Sequence, residues 1–301
     1  VIKPRFLLPH YWPFWAVLGL LKLLAARPYP SLLRFGSALG TFARHLPLPQ
    51  IRVARRNLEL CLPELPRAER ERILDANFRS TGITIGETAL AWFAPPAQLA
   101  TLVRFEGLEH VDRLTAAGRG VILLAAHFTT LEIGARFLTA ARHAHAVYKP
   151  SKNLLLTEFF RRYRGAVSAG MIASDDIRGM VRVLRGGGIV WYAPDQAFRG
   201  KGAEMVPLFG VPAATNTATS RLARMTGAAV LPYFVERLPG TAGYRVSIGA
   251  PLEDFPSDDS VADTLRFHHL IEAQVRRMPE QYLWVHKRMK ALTAEHPNHY
   301  R

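Results

Sequence analysis

The run Val121-Ile122-Leu123-Leu124-Ala125-Ala126 constrains this chain more than any other stretch. It is short, apolar and without alternation, the pattern of a strand buried on both faces of a parallel sheet. Such a strand needs helices on either side, which points to an α/β architecture. The run stops at His127, and a helix opens behind it. Thr129 reads as the N-cap, Glu132 completes a capping box, and Leu131, Ile133 and Phe137 supply an apolar face. His127 therefore stands at the carboxyl end of a buried strand, where open α/β sheets carry their reactive groups.

The surrounding pattern agrees. Helix 107–117 leads into strand 121–126, then come helix 130–142, strand 144–148, helix 154–164 and helix 175–185. Strand 189–193, a polar loop 195–204, helix 215–226, strands 229–235 and 244–248, and helix 260–278 complete the series. The expected fold is α/β, with a mostly parallel sheet flanked by helices. Gly186-Gly187-Gly188 follows a helix and precedes a strand, the reverse of a phosphate-binding loop, and reads as a helix stop. Thr215-Asn216-Thr217 reads chiefly as a helix cap.

Upstream, residues 31–93 read as amphipathic helices punctuated by Pro47 and Pro49 and stopped by Pro95-Pro96. Leu7–Ala26 is apolar but broken by Pro9, Pro13 and Lys22. From Tyr11 to Ala26 it makes roughly 24 Å of helix, short of a ~30 Å hydrocarbon core. We read residues 1–30 as a membrane anchor that spans with help from its flanks or lies in one leaflet. A cleaved signal is the weaker reading, because Arg27-Pro28-Tyr29-Pro30 continues a cleavage site poorly. Residues 31–301 then form one domain, helical over 31–93 and α/β over 94–301.

The net charge is +15, and residues 1–58 hold nine Lys/Arg and no acid. That asymmetry fits an anionic membrane surface. Nucleic acid is not expected, because no recognition-helix, zinc-knuckle or RNP pattern accompanies the charge. Cys61 is the only cysteine, which excludes an intrachain disulfide and a cysteine-based metal cage. The pairs His143/His145 and His268/His269 lack a carboxylate or cysteine at ligand spacing, so no metal is expected.

The spacing His127-x4-Glu132 carries the chemistry. Within one helix, residues five apart lie about 140° apart. With the histidine just before the helix, the carboxylate can approach the imidazole, fix its tautomer and leave the other nitrogen to take a proton from a hydroxyl. Chance supplies about one such pair in a chain with 11 His and 24 acids. A core-edge histidine and a capping glutamate therefore remain open on these residues alone.

Longer stretches carry a resemblance. "RRNLELCLPEL", "GITIGETALAWF", "FEGLEHVD", "AAHFTTLEIGARF", "VYKPSKNLLL", "IVWYAPDQ", "VPLFGVPAATNTATSRLARMTGA" and "PEQYLWVHKR" resemble, in this order, the late acyltransferases of lipid A biosynthesis. These are inner-membrane lauroyl/myristoyl transferases. The wider superfamily, which includes glycerolipid acyltransferases, usually has His-x4-Asp, and Glu132 favours the lipid A branch. The resemblance implies a glycerolipid-acyltransferase-like fold and transfer of a fatty acyl chain, lauroyl as the first expectation. The donor would be acyl carrier protein, the acceptor a hydroxyl of a 3-hydroxyacyl chain on Kdo-lipid A precursor, with no cofactor. The site would lie on the cytoplasmic face of a bacterial inner membrane. His127 would act as general base oriented by Glu132, while Arg164, Asp195 and, more weakly, Lys149 would serve substrate binding. Backbone N–H groups near Thr129 and Thr130 are candidate oxyanion donors. The alternatives are acylation of another glycolipid or a lysophospholipid, or a non-catalytic basic protein that binds membrane or nucleic acid.

Overall fold

The computed structural model describes residues 4–150, 153–163 and 169–300. Helices come first: α1 (Trp12–Ala25), α2 (Tyr29–Arg44), α3 (Pro49–Cys61), α4 (Arg67–Phe93) and the short α5 (Pro96–Ala100). Then follow β1 (Val103–Glu106), α6 (Leu108–Ala116), β2 (Val121–Leu124), α7 (Leu131–Ala141), β3 (Ala144–Tyr148), α8 (Leu154–Tyr163), β4 (Gly170–Ala173), α9 (Ile177–Arg185) and β5 (Ile189–Tyr192). A hairpin, β6 (Ala203–Leu208) and β7 (Val211–Asn216), precedes α10 (Ala218–Thr226), β8 (Ala229–Arg237), β9 (Tyr244–Ile248) and α11 (Ser260–Arg277).

Seven strands form one sheet in the order β1-β9-β8-β2-β5-β3-β4. Every neighbouring pair is parallel except β8–β9. The run at 121–124 lies between β8 and β5, and its residues alternate between two cores. Ile122 and Leu124 join one with α3, α10 and α11, whereas Val121 and Leu123 join the other with α7. Burial on both faces is the physical reason for the absence of alternation.

Several elements differ from the sequence expectation. The hairpin β6–β7 replaces the end of the expected loop and the start of the expected helix, so Thr215 and Asn216 belong to a strand. Its turn, Phe209-Gly210, has positive φ at both residues. Two-residue hairpin turns of type I′ require that geometry, and Asn or Asp normally announces it. Here phenylalanine takes the position, with its N–H donated to Glu272 Oε1 at 2.6 Å. The helix then starts at Ala218, whose N–H is accepted by Asn216 Oδ1 at 3.0 Å.

The amino-terminal segment also changes. Helix α1 has 14 residues, about 21 Å. Among the described residues no helix is long and apolar enough to cross a membrane, so a spanning anchor is not supported. Instead α1 lies on α4, with Leu21 and Ala25 packed against Ala89 and the partly buried Trp92 and Phe93. Its other side leaves Trp12, Val17, Leu20 and Leu23 exposed.

Helix α4 joins the helical layer to the sheet. Gly36 and Gly40 of α2 meet Gly82 of α4 backbone to backbone, a contact that leaves no room for a Cβ. Glu87 of α4 is fully buried and pairs with Arg237 of β8 at 2.7 Å. Tyr244 Oη donates to the same carboxylate at 2.8 Å. The Arg237 guanidinium also donates to Ser80 Oγ at 2.8 Å, and Ser80 Oγ bonds Thr129 Oγ1 at 2.8 Å. A buried ion pair in α4 is thereby linked to the loop after β2.

Candidate active site

Parallel pairing of β2 with β5 sets Leu124 beside Tyr192. Three residues further along each chain stand His127 and Asp195, at the carboxyl edge of the sheet. His127 Nδ1 lies 2.6 Å from Asp195 Oδ1, and the His127 backbone N–H donates to Oδ2 at 2.9 Å. Tyr282 Oη donates to Oδ2 at 3.4 Å. Asp195 is buried, 2% exposed. Burial by itself would raise its carboxyl, but attraction to His127 and the two hydrogen bonds outweigh that, with Arg288 adding. The carboxyl is therefore held below the usual range and stays ionised. An ionised carboxylate on Nδ1 holds the proton there and leaves the Nε2 lone pair to accept another. Among the described residues Nε2 has no hydrogen-bond partner, and His127 lines an open cleft.

The loop that carries His127 is clamped from two sides. Leu283 N–H donates to His127 O at 2.9 Å, and Thr129 N–H donates to Gln281 O at 2.7 Å. Thr84 Oγ1 donates to Thr129 O at 3.0 Å, and Thr130 Oγ1 to Val235 O at 2.8 Å. Two expectations change as a result. The N-cap of α7 is Thr130, without a side-chain cap bond, so the Thr129–Glu132 capping box is not formed. The Thr129 N–H, bound to Gln281, is not a free oxyanion donor.

The carboxylate at Nδ1 is that of Asp195, not the expected Glu132. Glu132 sits in the first turn of α7, and its Oε1 accepts Trp92 Nε1–H from α4 at 2.6 Å. The difference is topological: register between two strands distant in sequence brings Asp195 to the imidazole, while Glu132 meets the helical layer. Lys149, just after β3, is exposed and lines the cleft. Arg164 lies outside the described residues. Cys61 is buried, and burial pushes its thiol up, so it is not a poised nucleophile.

The cleft has a volume of about 360 Å³. Val147, Ile177, Met180, Trp191, Leu222 and Met225 give it apolar walls, while Lys149 and Arg221 bring cations. His286, which sequence reasoning did not single out, accepts the Ala197 N–H on Nε2 at 3.4 Å. Burial first, then the proximity of His127, pushes His286 down to about 4, so it stays neutral beside the pair. Tyr282, His286 and Arg288 all lie in the run "PEQYLWVHKR", whose composition gives no hint that it folds back beneath β2. Among the described residues no three His, Cys, Asp or Glu side chains converge as a metal site.

The family model described as bacterial lipid A biosynthesis acyltransferase matches residues 2–291. The chain belongs to this family. This lipid A acyltransferase is 38% identical to the lipid A biosynthesis palmitoleoyltransferase of Escherichia coli K12 over 95% of its own length and 94% of that protein. It is 36% identical to the lauroyltransferase of the same organism, over 97% and 96%. Among solved structures, the 1-acyl-sn-glycerophosphate acyltransferase of Thermotoga maritima matches with a TM-score of 0.39 at 14% identity, over 78% of this chain and 99% of that one. Family membership places the acyltransferase in lipid A acylation, and its His127–Asp195 pair opens on a cleft lined by both apolar and cationic side chains.

Proposed function

We propose that this acyltransferase moves a fatty acyl chain from acyl carrier protein to the hydroxyl of a 3-hydroxyacyl chain on Kdo-lipid A precursor. The observation that carries the reading is His127 Nε2 facing an apolar-walled cleft while Asp195 holds Nδ1. In the proposed step Nε2 takes the proton of the acceptor hydroxyl as its oxygen attacks the thioester carbonyl. The new C–O bond forms, the C–S bond breaks, and the imidazolium returns its proton to the departing thiolate. Asp195 stabilises the imidazolium, and the Glu132 charge adds to that stabilisation from the first turn of α7. Lys149 and Arg164 are the proposed partners of phosphate groups, and Arg221 is a further cation on the cleft wall.

The proposed site of action is the cytoplasmic face of a bacterial inner membrane. Support comes from the basic residues 1–58 and from the apolar side chains that α1 leaves exposed. Lauroyl is the proposed chain; the two E. coli relatives above are named for lauroyl and palmitoleoyl transfer. Mass spectrometry of lipid A from cells lacking the enzyme, with wild type or His127→Ala restored, tests the reading. Wild type should add one secondary acyl group of lauroyl mass and His127→Ala none. An unchanged lipid A with wild type overturns it.

A further inference from the structure

A second concavity, apart from the catalytic cleft, lies between α3 and the carboxyl-terminal segment. It has a volume of about 540 Å³, and its cations are Arg52, Arg55, Arg56 and Lys287, against Glu59 as the one acid among its lining residues. Arg55 is engaged by Glu71 at 2.6 Å, and Arg56 reaches Glu59 at 3.3 Å. Arg52 and Lys287 are exposed and have no ion pair among the described residues; Lys287 lies 5.9 Å from the Tyr300 ring centroid. The surplus charge is therefore positive and unneutralised. Among the described residues, none of the large exposed apolar side chains lines this groove.

The groove is joined to the active site by a short hydrogen-bonded stretch. Leu283 N–H holds the His127 carbonyl, and Lys287 stands four residues later in the groove. Between them, Asn57 of α3 donates to Trp284 O at 2.6 Å and to His286 O at 2.8 Å. Both walls of the groove are thus fixed to the segment that clamps the catalytic loop.

We propose that this groove docks the acidic carrier protein that delivers the acyl thioester. The inference rests on the acyl carrier protein reading above. A concave, polar, cationic surface fits an acidic helix of a small protein, whose flexible prosthetic arm can then reach the neighbouring cleft. A bilayer presents a broad flat face and is better met by the exposed apolar side of α1.

The test is the doubly charge-reversed variant Arg52→Glu/Lys287→Glu, with Arg52→Gln/Lys287→Gln as a milder second. Acyl transfer is measured with acyl carrier protein thioester and with acyl-pantetheine, which has no protein to dock. Thermal unfolding is recorded alongside. The expected result is a KM for the carrier-protein donor raised on the order of 10-fold, with kcat kept, since exposed interfacial charges act mainly on encounter. That KM should rise with salt in wild type and much less in the variants. A variant with wild-type KM and wild-type salt dependence overturns the groove while leaving the donor intact. A wild-type enzyme that uses acyl-pantetheine but not the carrier-protein donor overturns the donor reading beneath it. Equal losses with both donors, together with weaker pelleting on vesicles containing phosphatidylglycerol, would assign the groove to lipid headgroups and overturn the proposal.

Discussion

Asp195 and Glu132 are both within the machinery around one loop, and their surroundings separate what each can do. Asp195 is buried with both oxygens engaged by His127. Asp195→Asn keeps the shape but removes the counter-charge to the imidazolium, and turnover should fall by roughly 10²–10⁴-fold. The variant also carries a pH signature. The Asp195 carboxyl is depressed in the folded protein, so its contribution to stability is present above the ordinary aspartate value of about 3.9 and is lost as pH falls through the folded value. Denaturant midpoints should therefore differ most between wild type and Asp195→Asn at neutral pH, and converge in acid. Glu132→Gln keeps an acceptor for Trp92, so stability should stay within ~1 kcal/mol, while turnover drops through loss of charge. Normal turnover in a stable Glu132→Gln enzyme would leave Glu132 a structural residue, with no part in catalysis.

At the level of elements, α4 is the joint between the helices and the sheet, and it is held by two different kinds of contact. Where α2 crosses it, glycine is required because the backbones touch. Gly82→Ala should destabilise by about 1–3 kcal/mol through overpacking, despite the better helix propensity of alanine. Five residues on, at Glu87, the attachment is electrostatic. Glu87→Gln leaves Arg237 buried with its counter-charge gone, and should cost about 3–5 kcal/mol. Urea unfolding of both variants reads the two effects. The Glu87 variant should also lower turnover in its folded fraction, because Arg237 supports Ser80 and Ser80 supports Thr129. A Glu87→Gln protein as stable as wild type would mean that α4 is held by packing alone.

For the whole molecule, the uneven placement of charge and apolar surface gives the enzyme a face. Helix α1 buries Leu18, Leu21 and Ala25 and exposes Trp12, Val17, Leu20 and Leu23, while α2 adds exposed Phe35 and Phe42. On the membrane reading proposed above, Leu20→Asp/Leu23→Asp should leave thermal stability near that of wild type, since both side chains are exposed, yet shift much of the enzyme from the membrane pellet to the supernatant. High salt should enhance the release by screening the basic residues. Unchanged sedimentation of the double variant in high salt would remove α1 from the proposed membrane contact.

The α/β class, the central strand and the position of His127 at its carboxyl end were legible in the amino acids alone, because those depend on local apolar patterns and on where they stop. The sequence also placed Glu132 in the first turn of the following helix, where the structure has it. Which carboxylate meets the imidazole was settled by the folding of distant segments onto one another. His127 and Asp195 are 68 residues apart, and what unites them is the parallel register of β2 on β5, a pairing that no periodicity records. The clamp from residues 281–283 and the docking of α1 on α4 share that origin. Each rests on backbone bonds or packing between distant segments, and the amino acids involved carry no local mark of the partner they will meet.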